Sequence, residues 1–205
     1  MSFIKLNVEI DSVIIGERVK GGIYRPCLET IPSSTIRGVF KHCLGLEING
    51  VGIFLKDTYQ IKDFVYSVKD KFLETAKMPF VTEYLSPKGN SKIKAEIYIV
   101  KNNGISPELF ENVEFYLGAL KSKGFGKTKV IKPEEISPDI KQGFLNVRIY
   151  EDECDKFNIT VLSPIYGYLF YPTDIVSGIY KMALLENSLV KAPEIFLKEE
   201  TFYDE

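Results

Sequence analysis

Leu117-Gly118-Ala119-Leu120-Lys121-Ser122-Lys123-Gly124-Phe125-Gly126-Lys127-Thr128-Lys129-Val130 is the stretch on which the reading of the fold turns. Upstream of it, Ser106-Pro107 reads as an N-cap followed by a first-turn proline. Leu109, Val113, Leu117 and Leu120 then fall on one face of a predicted helix. Glu108, Glu111 and Glu114 lie toward its positive end, Lys121 and Lys123 toward its negative end. Downstream, Lys129, Val130 and Ile131 read as a strand. The stretch therefore joins a late helix to a late strand through a loop with four lysines and no acidic residue. Glycines at 124 and 126 let the backbone take positive φ and turn its N–H groups toward an anion. The lysines attract phosphate.

Two familiar motifs fall short of this stretch. Gly126-Lys127-Thr128 ends like a nucleotide-binding P-loop, but Lys121 stands where the first glycine belongs, and a helix precedes the loop rather than following it. Lys123-Gly124-Phe125-Gly126 begins like the aromatic RNA-recognition signature, after which Lys127 and Val130 occupy the places of base-stacking rings. Phe125 is better suited to anchoring the loop in the core than to stacking on a base.

Working outward, Ile4, Leu6, Val8 and Ile10 alternate with polar residues as a half-buried strand does. An irregular stretch with Gly16, Gly21 and Gly22 follows, carrying Arg18, Lys20 and Arg25. Ser33 or Ser34 then caps a helix with Ile36, Val39, Phe40, Cys43 and Leu44 on its apolar stripe and Arg37 and Lys41 off it. Ile53-Phe54-Leu55 reads as a second strand. Phe64, Val65, Val68 and Phe72 admit a helix, and residues 86–90 make a turn. Ile93, Ala95, Ile97 and Ile99 form a third strand. The order β-α-β-β-α-β predicts an α+β fold with a ferredoxin-like (RRM-like) core over 1–132. In 133–205, alternating segments around Leu145/Val147/Ile149 and Phe157/Ile159/Val161 precede a helix over 173–186, capped by Thr173 and buried along Ile175, Ile179 and Ala183. This predicts an additional C-terminal α/β segment, a candidate degenerate second ferredoxin-like half.

The net charge of −2 over 205 residues hides an asymmetry. Residues 1–132 carry 20 Lys/Arg against 14 Asp/Glu, whereas 133–205 carry 6 against 14. A basic body suits an anionic partner and an acidic segment suits a protein partner, unless both are only solvated surface. No stretch has eighteen consecutive apolar residues and no basic-apolar leader opens the chain, which predicts a soluble cytoplasmic protein without membrane contact. Cys27, Cys43 and Cys154 lack metal-ligand spacing, so mostly buried, reduced thiols and no metal or other cofactor are expected.

Ile31-Pro32-Ser33-Ser34-Thr35-Ile36-Arg37-Gly38 resembles the Ile-Pro-Gly-Ser-Ser-hydrophobic-Lys/Arg-Gly signature of the RAMP superfamily of CRISPR-associated proteins, with Ser33 in place of the usual glycine. Residues 121–127 resemble that superfamily's glycine-rich loop, in the same position between the last core helix and strand. Leu162-Ser163-Pro164 resembles a recurring strand end. The resemblance covers 1–132 well and the remainder loosely. It implies a subunit of a type III-like interference complex, with CRISPR RNA and the other effector subunits as partners.

A guide-binding subunit must grip the backbone and leave bases free to pair. The residues expected to do so are Lys121, Ser122, Lys123, Gly124, Phe125, Gly126, Lys127 and Lys129, with Ser33, Ser34, Arg37 and Lys41 at the first helix. For the serines the competing reading is simple helix capping; for Arg37 and Lys41 it is a solvated helix face. His42, the single histidine, is a weak catalytic candidate near Tyr24, Lys41 and Lys56 in sequence. Asp11, Glu17 and Glu29 are the acidic residues after the first strand. Binding is favoured over chemistry. The alternatives are a metal-independent endoribonuclease that processes CRISPR RNA, and a protein-interaction subunit with little RNA contact.

Overall fold

Ile4, Leu6, Val8 and Ile10 all point to one face of strand β1 (Phe3–Ile10) and are buried there. The structure, a computed structural model, describes residues 1–16, 23–70, 72, 74–75, 77–102, 104–173 and 177–198. Arg18, Lys20, Gly21, Gly22, Glu17 and Ile175, named above, lie outside the described residues. After β1 come β2 (Tyr24–Arg25), β3 (Thr30–Ile31), α1 (Ser33–Leu44) and β4 (Gly50–Phe54). They are followed by β5 (Tyr59–Tyr66), β6 (Phe80–Pro87), β7 (Ile93–Val100), β8 (Glu114–Tyr116) and β9 (Lys127–Ile136).

Six of these strands form one antiparallel sheet in the order β3-β4-β7-β1-β9-β8. One face of that sheet packs on Ile36, Val39 and Phe40 of α1. Strand β4 carries Gly50 and Gly52 toward that layer. A Cβ on Gly50 would lie 2.9 Å from the Ile36 side chain, and one on Gly52 2.9 Å from that of Ile31. The absent side chains let helix and sheet approach.

Two predicted helices of the N-terminal part are absent. Between 106 and 120 there is only a 3₁₀ turn, Pro107–Phe110, and then β8. Asn112 at φ 57° and Gly118 at φ 73° are left-handed, which no continuous helix passes through. The apolar residues find another use: Phe110 and Phe115 each meet Phe40 of α1 edge-on at 5.4 Å, while Leu109 is partly exposed. Phe64 and Val65 lie in strand rather than helix, with β5 and β6 paired antiparallel from Tyr59↔Pro87 to Tyr66↔Phe80. Aromatic and β-branched residues at alternate positions fit that pleat better than a helix. β2 adds parallel to β6.

Among its described residues the C-terminal part is strands and 3₁₀ turns rather than α/β. Its strands are β10 (Ile140–Phe144), β11 (Ile149–Tyr150), β12 (Thr160–Ser163), β13 (Tyr166–Pro172), β14 (Gly178–Leu184) and β15 (Leu189–Pro193). They make two three-stranded sheets, β10-β15-β12 and β11-β14-β13. In place of the helix expected over 173–186, Gly178–Leu184 is strand β14, antiparallel to β13. Along β14, Ala183 is buried and Ile179 is exposed, an arrangement the strand pairing dictates. This part covers the other face of the six-stranded sheet. Phe3, Val51, Tyr98 and Val100 pack there with Leu145, Val147, Ile149, Phe157 and Phe196. Phe196 is the hub, edge-on to Phe3 at 5.3 Å, Phe157 at 5.8 Å and Tyr98 at 5.9 Å.

Cys27 and Cys154 are buried as expected, and burial pushes both thiols up to about 11. Cys43 is exposed, contrary to its assignment to the apolar stripe of α1.

Candidate nucleic-acid interface

The glycine loop is held from inside. Gly118, at φ 73°, sits so close to the first strand's outgoing loop that a Cβ would lie 2.1 Å from the Ile14 carbonyl oxygen. The next amide, of Ala119, donates to that oxygen at 2.9 Å. A single 3₁₀ turn, Lys121–Lys123, ends at Gly124 with φ 90°. The Phe125 ring is then driven inward, edge-on to Phe64 of β5 at 5.2 Å and to Tyr84 of β6 at 5.3 Å. Gly126, at φ 84°, closes the loop: its amide donates to Ser12 O at 2.6 Å and its carbonyl accepts from Leu117 N at 2.8 Å. Thr128 Oγ1, fully buried, donates to the same carbonyl at 2.9 Å.

This corrects the expected role of the glycine amides. The N–H groups of Lys123, Gly124 and Gly126 donate to Leu120, Lys121 and Ser12 carbonyls, so these three are committed within the protein. The glycines shape the loop and the lysine side chains carry its charge. Lys121, Ser122, Lys123, Lys127 and Lys129 are all exposed. Lys127 has Glu114 at 3.8 Å, and Lys129 lies in register with both Glu9 and Glu114. Lys121 and Lys123 have no ion-pair partner among the described residues. They are the part of the loop whose positive charge is least compensated.

The first motif folds as a strand end followed by a helix. Ile31 ends β3, and Pro32 stands at the N-cap without a side-chain cap bond, so neither serine caps the helix. Ser33 is buried, and its Oγ has no hydrogen-bond partner among the described residues. Ser34 is half-buried beside Tyr150; burial raises the Tyr150 phenol strongly, and Ser34 and Arg37 oppose that shift. The Arg37 guanidinium is turned inward. It pairs with Glu153, donates to Asn49 Oδ1 at 2.6 Å, and lies 5.3 Å from the Tyr171 ring centroid. Lys41 reaches the other way, to Glu47 at 3.0 Å, with both side chains well exposed.

His42 is exposed in the last turn of α1, without a hydrogen-bond or ion-pair partner among the described residues. Tyr24 donates to Glu83 rather than serving the histidine. Asp11 pairs with Lys92, and Glu29 accepts from Tyr59 Oη at 2.6 Å. No group of three or more His, Cys, Asp or Glu among the described residues can hold a metal ion. No helix among them is long and apolar enough to cross a membrane.

The two motifs meet. Ser34, Thr35 and Gly38 of α1 and Gly118, Ala119 and Lys121 of the loop line one groove of about 430 Å³. Gly16, Val39 and Phe170 of β13 are its other walls among the described residues. Thr35, Gly38 and Phe170 were not picked out as site residues from the sequence. Gly38 carried a signal, since glycine inside a helix costs about 1 kcal/mol and nothing lies within 4 Å of a Cβ placed there. Phe170 carried a weaker one, the period-2 spacing of Tyr166, Tyr168 and Phe170.

Neither a protein-family model nor a curated protein matches the sequence. Solved structures do match the fold. One is a chain in the cryo-EM structure of the type III-B Cmr-beta bound to cognate target RNA and AMPPnP. It has a TM-score of 0.58 and 13% identity, over 92% of this chain and 86% of that one. The chain shares the fold of that Cmr-beta chain. A second Cmr-beta structure, bound to cognate target RNA, matches with a TM-score of 0.57 and 13% identity, over 93% and 86%. The Cmr-beta likeness extends well past residue 132, so it takes in the β-rich C-terminal part together with the six-stranded sheet.

Proposed function

We propose that this chain is an RNA-binding subunit of a CRISPR type III-like effector complex, and that it grips CRISPR RNA by its backbone along the groove between α1 and the glycine-rich loop. The observation that carries this reading is the convergence of two motifs more than eighty residues apart on one groove, with Lys121 and Lys123 uncompensated beside it. A ribonucleoprotein partner is in keeping with the Cmr-beta neighbours, which were solved with RNA bound.

The fold reading belongs to the same proposal. β1-α1-β4 and β7-β9 interleave, because β7 lies between β1 and β4, and β1 lies between β7 and β9. That is the split β-α-β arrangement of a ferredoxin-like core. Its second crossover helix has been replaced by the 107–116 turn and strand. Residues 1–132 form this RNA-gripping core, and the acidic 133–205 segment faces neighbouring subunits. The protein acts in the cytoplasm.

Binding rather than cleavage is the role assigned, because exposed His42 has, among the described residues, no hydrogen-bond or ion-pair partner to orient it for acid–base work. The test is RNA binding as a function of salt. Removing one lysine–phosphate interaction should lower the log–log slope by roughly 0.7 for a single strand. Lys121→Ala with Lys123→Ala should therefore weaken binding and flatten the slope more than Lys127→Ala with Lys129→Ala. His42→Ala should leave binding unchanged. An unchanged slope in the quadruple lysine variant would remove the loop from the interface.

A further inference from the structure

The segment that leaves β1 borders two grooves. Gly16 lines the one described above, while Asp11 and Ser12 line another of about 540 Å³ between the end of β1, the start of β5 and the β6–β7 turn. Ser12 and Gly16 are four residue steps apart, so these two walls stand within roughly 14 Å of each other. The glycine-rich loop is tied to the same segment, through Gly118 against the Ile14 carbonyl and the Gly126 amide on Ser12 O.

The second groove is polar. Lys62, Ser86, Asn90 and Lys92 line it with Asp11 and Ser12, and its described walls hold no aromatic ring and no aliphatic side chain besides Pro87. The Ser12, Ser86 and Asn90 side chains have no hydrogen-bond partner among the described residues, so they can serve a ligand without giving up a bond in the protein. Lysines gather at this corner. Lys88 stands between the lining residues Pro87 and Gly89, and its Nζ donates to the Lys56 carbonyl at 3.4 Å. Lys56, Lys62, Lys88 and Lys92 are all exposed. Lys92 pairs with Asp11, whereas Lys56, Lys62 and Lys88 have no ion-pair partner among the described residues. Asp11 and Asp57 offset only part of the charge.

This chemistry discriminates between anionic partners. A protein interface places apolar and aromatic side chains at its centre, and the groove offers none. Ammonium groups suit phosphates, and free hydroxyls and amides suit ribose. We propose that the second groove binds the sugar–phosphate backbone of single-stranded RNA, with Asp11 as a restraint that occupies Lys92. This rests on the RNA-binding reading above and deepens it: the strand has a second hold, on the β5–β6 side of the glycine-rich loop, built from residues of neither sequence motif. Without a ring to stack a base, this hold is blind to sequence.

The full chain is titrated with a single-stranded RNA 12-mer across a range of salt, and separately with a Glu-rich 12-residue peptide. The variants are Lys62→Ala/Lys88→Ala, Asp11→Asn and Lys121→Ala/Lys123→Ala, with thermal melts confirming that each is folded. Loss of two phosphate contacts in Lys62→Ala/Lys88→Ala should weaken RNA binding and lower the log–log salt slope by roughly 1.4. Asp11→Asn should act in the opposite sense: it releases Lys92, so binding should tighten and the slope steepen by up to roughly 0.7. Binding no tighter than the parent's would overturn the part given to Asp11. If Lys62→Ala/Lys88→Ala keeps the parental affinity and slope while the loop variant loses RNA, the second groove is overturned and the RNA-binding reading stands. If that variant instead loses only the peptide, the corner is a docking surface for an acidic protein and the RNA groove is again overturned. If neither lysine variant loses RNA, both readings fall.

Discussion

Arg37 joins the two parts of the chain. Its guanidinium leaves α1 and reaches Glu153 on the 3₁₀ turn Glu151–Phe157, with Asn49 Oδ1 and the Tyr150 and Tyr171 rings around it. The Glu153 side chain is only 5% exposed, and its Oε2 atom has no hydrogen-bond partner among the described residues. Removing the arginine would leave a nearly buried carboxylate, and breaking such a pair costs about 3–5 kcal/mol. Lys156, 3.6 Å from Glu153, softens the loss, so Arg37→Met should cost nearer 3 kcal/mol. Arg37→Met with Glu153→Met, which removes both charges, should recover most of it. Urea denaturation of the two variants checks this, and equal stability loss in both would show that the pair's charge is not what matters. From the sequence, Arg37 looked like an RNA contact or a solvated residue. Its partner lies 116 positions away, and helical periodicity says nothing about a distant carboxylate.

At the scale of elements, the glycine loop separates two kinds of glycine. Gly126 has a left-handed φ, and a Cβ on it would lie 1.9 Å from the Leu117 carbonyl oxygen. Gly124 is also left-handed, at φ 90°, but nothing lies within 4 Å of its Cβ. Gly126→Ala must therefore move backbone and should lose well over the 1 kcal/mol or so of local strain expected for Gly124→Ala. Thermal melts of the two variants measure the difference, and equal losses would mean that the loop does not close on Leu117. The position of this loop, and strands β1, β4, β7 and β9, could be read from the chain, because local alternation and glycine spacing report local structure. The helices predicted at 64–72, 106–120 and 173–186 could not. Phe64, Leu109 and Ile179 each sit at a spacing that fits helix and strand alike over a few residues. What decides is the partner strand: Thr82 for Phe64, and Tyr171 for Ile179. For Leu109, the positive φ at Asn112 ends the helix before it has made two turns. The groove was half legible. Its two motifs were in view, while Phe170 comes to it only through the fold of the last sheet.

At the scale of the molecule, the charge asymmetry serves the protein itself in part. Arg37–Glu153 and Lys101–Glu135 pair the basic part with the acidic one, and Thr30 Oγ1 donates to Glu186 across the same seam. Apolar packing along that seam outweighs these polar links. Phe3, Val51, Tyr98 and Val100 belong to the central sheet but are buried in one cluster with the C-terminal residues around Phe196. Burying a large apolar side chain is worth about 1.5–3 kcal/mol, so these four represent roughly 6–12 kcal/mol. The whole stability of a domain is about 5–15 kcal/mol. The six-stranded sheet therefore cannot stand without its second layer, even though α1 covers its first face. The intact chain should unfold in one transition, with far-ultraviolet circular dichroism and tyrosine fluorescence giving the same midpoint. A chain ended after residue 139 should be unfolded or aggregated at the same temperature, because its exposed sheet face would present four adjacent apolar side chains to water. A soluble, monomeric 1–139 fragment with a cooperative melt would show instead that the sheet and α1 hold together alone, and that the C-terminal layer adds function without supplying the fold.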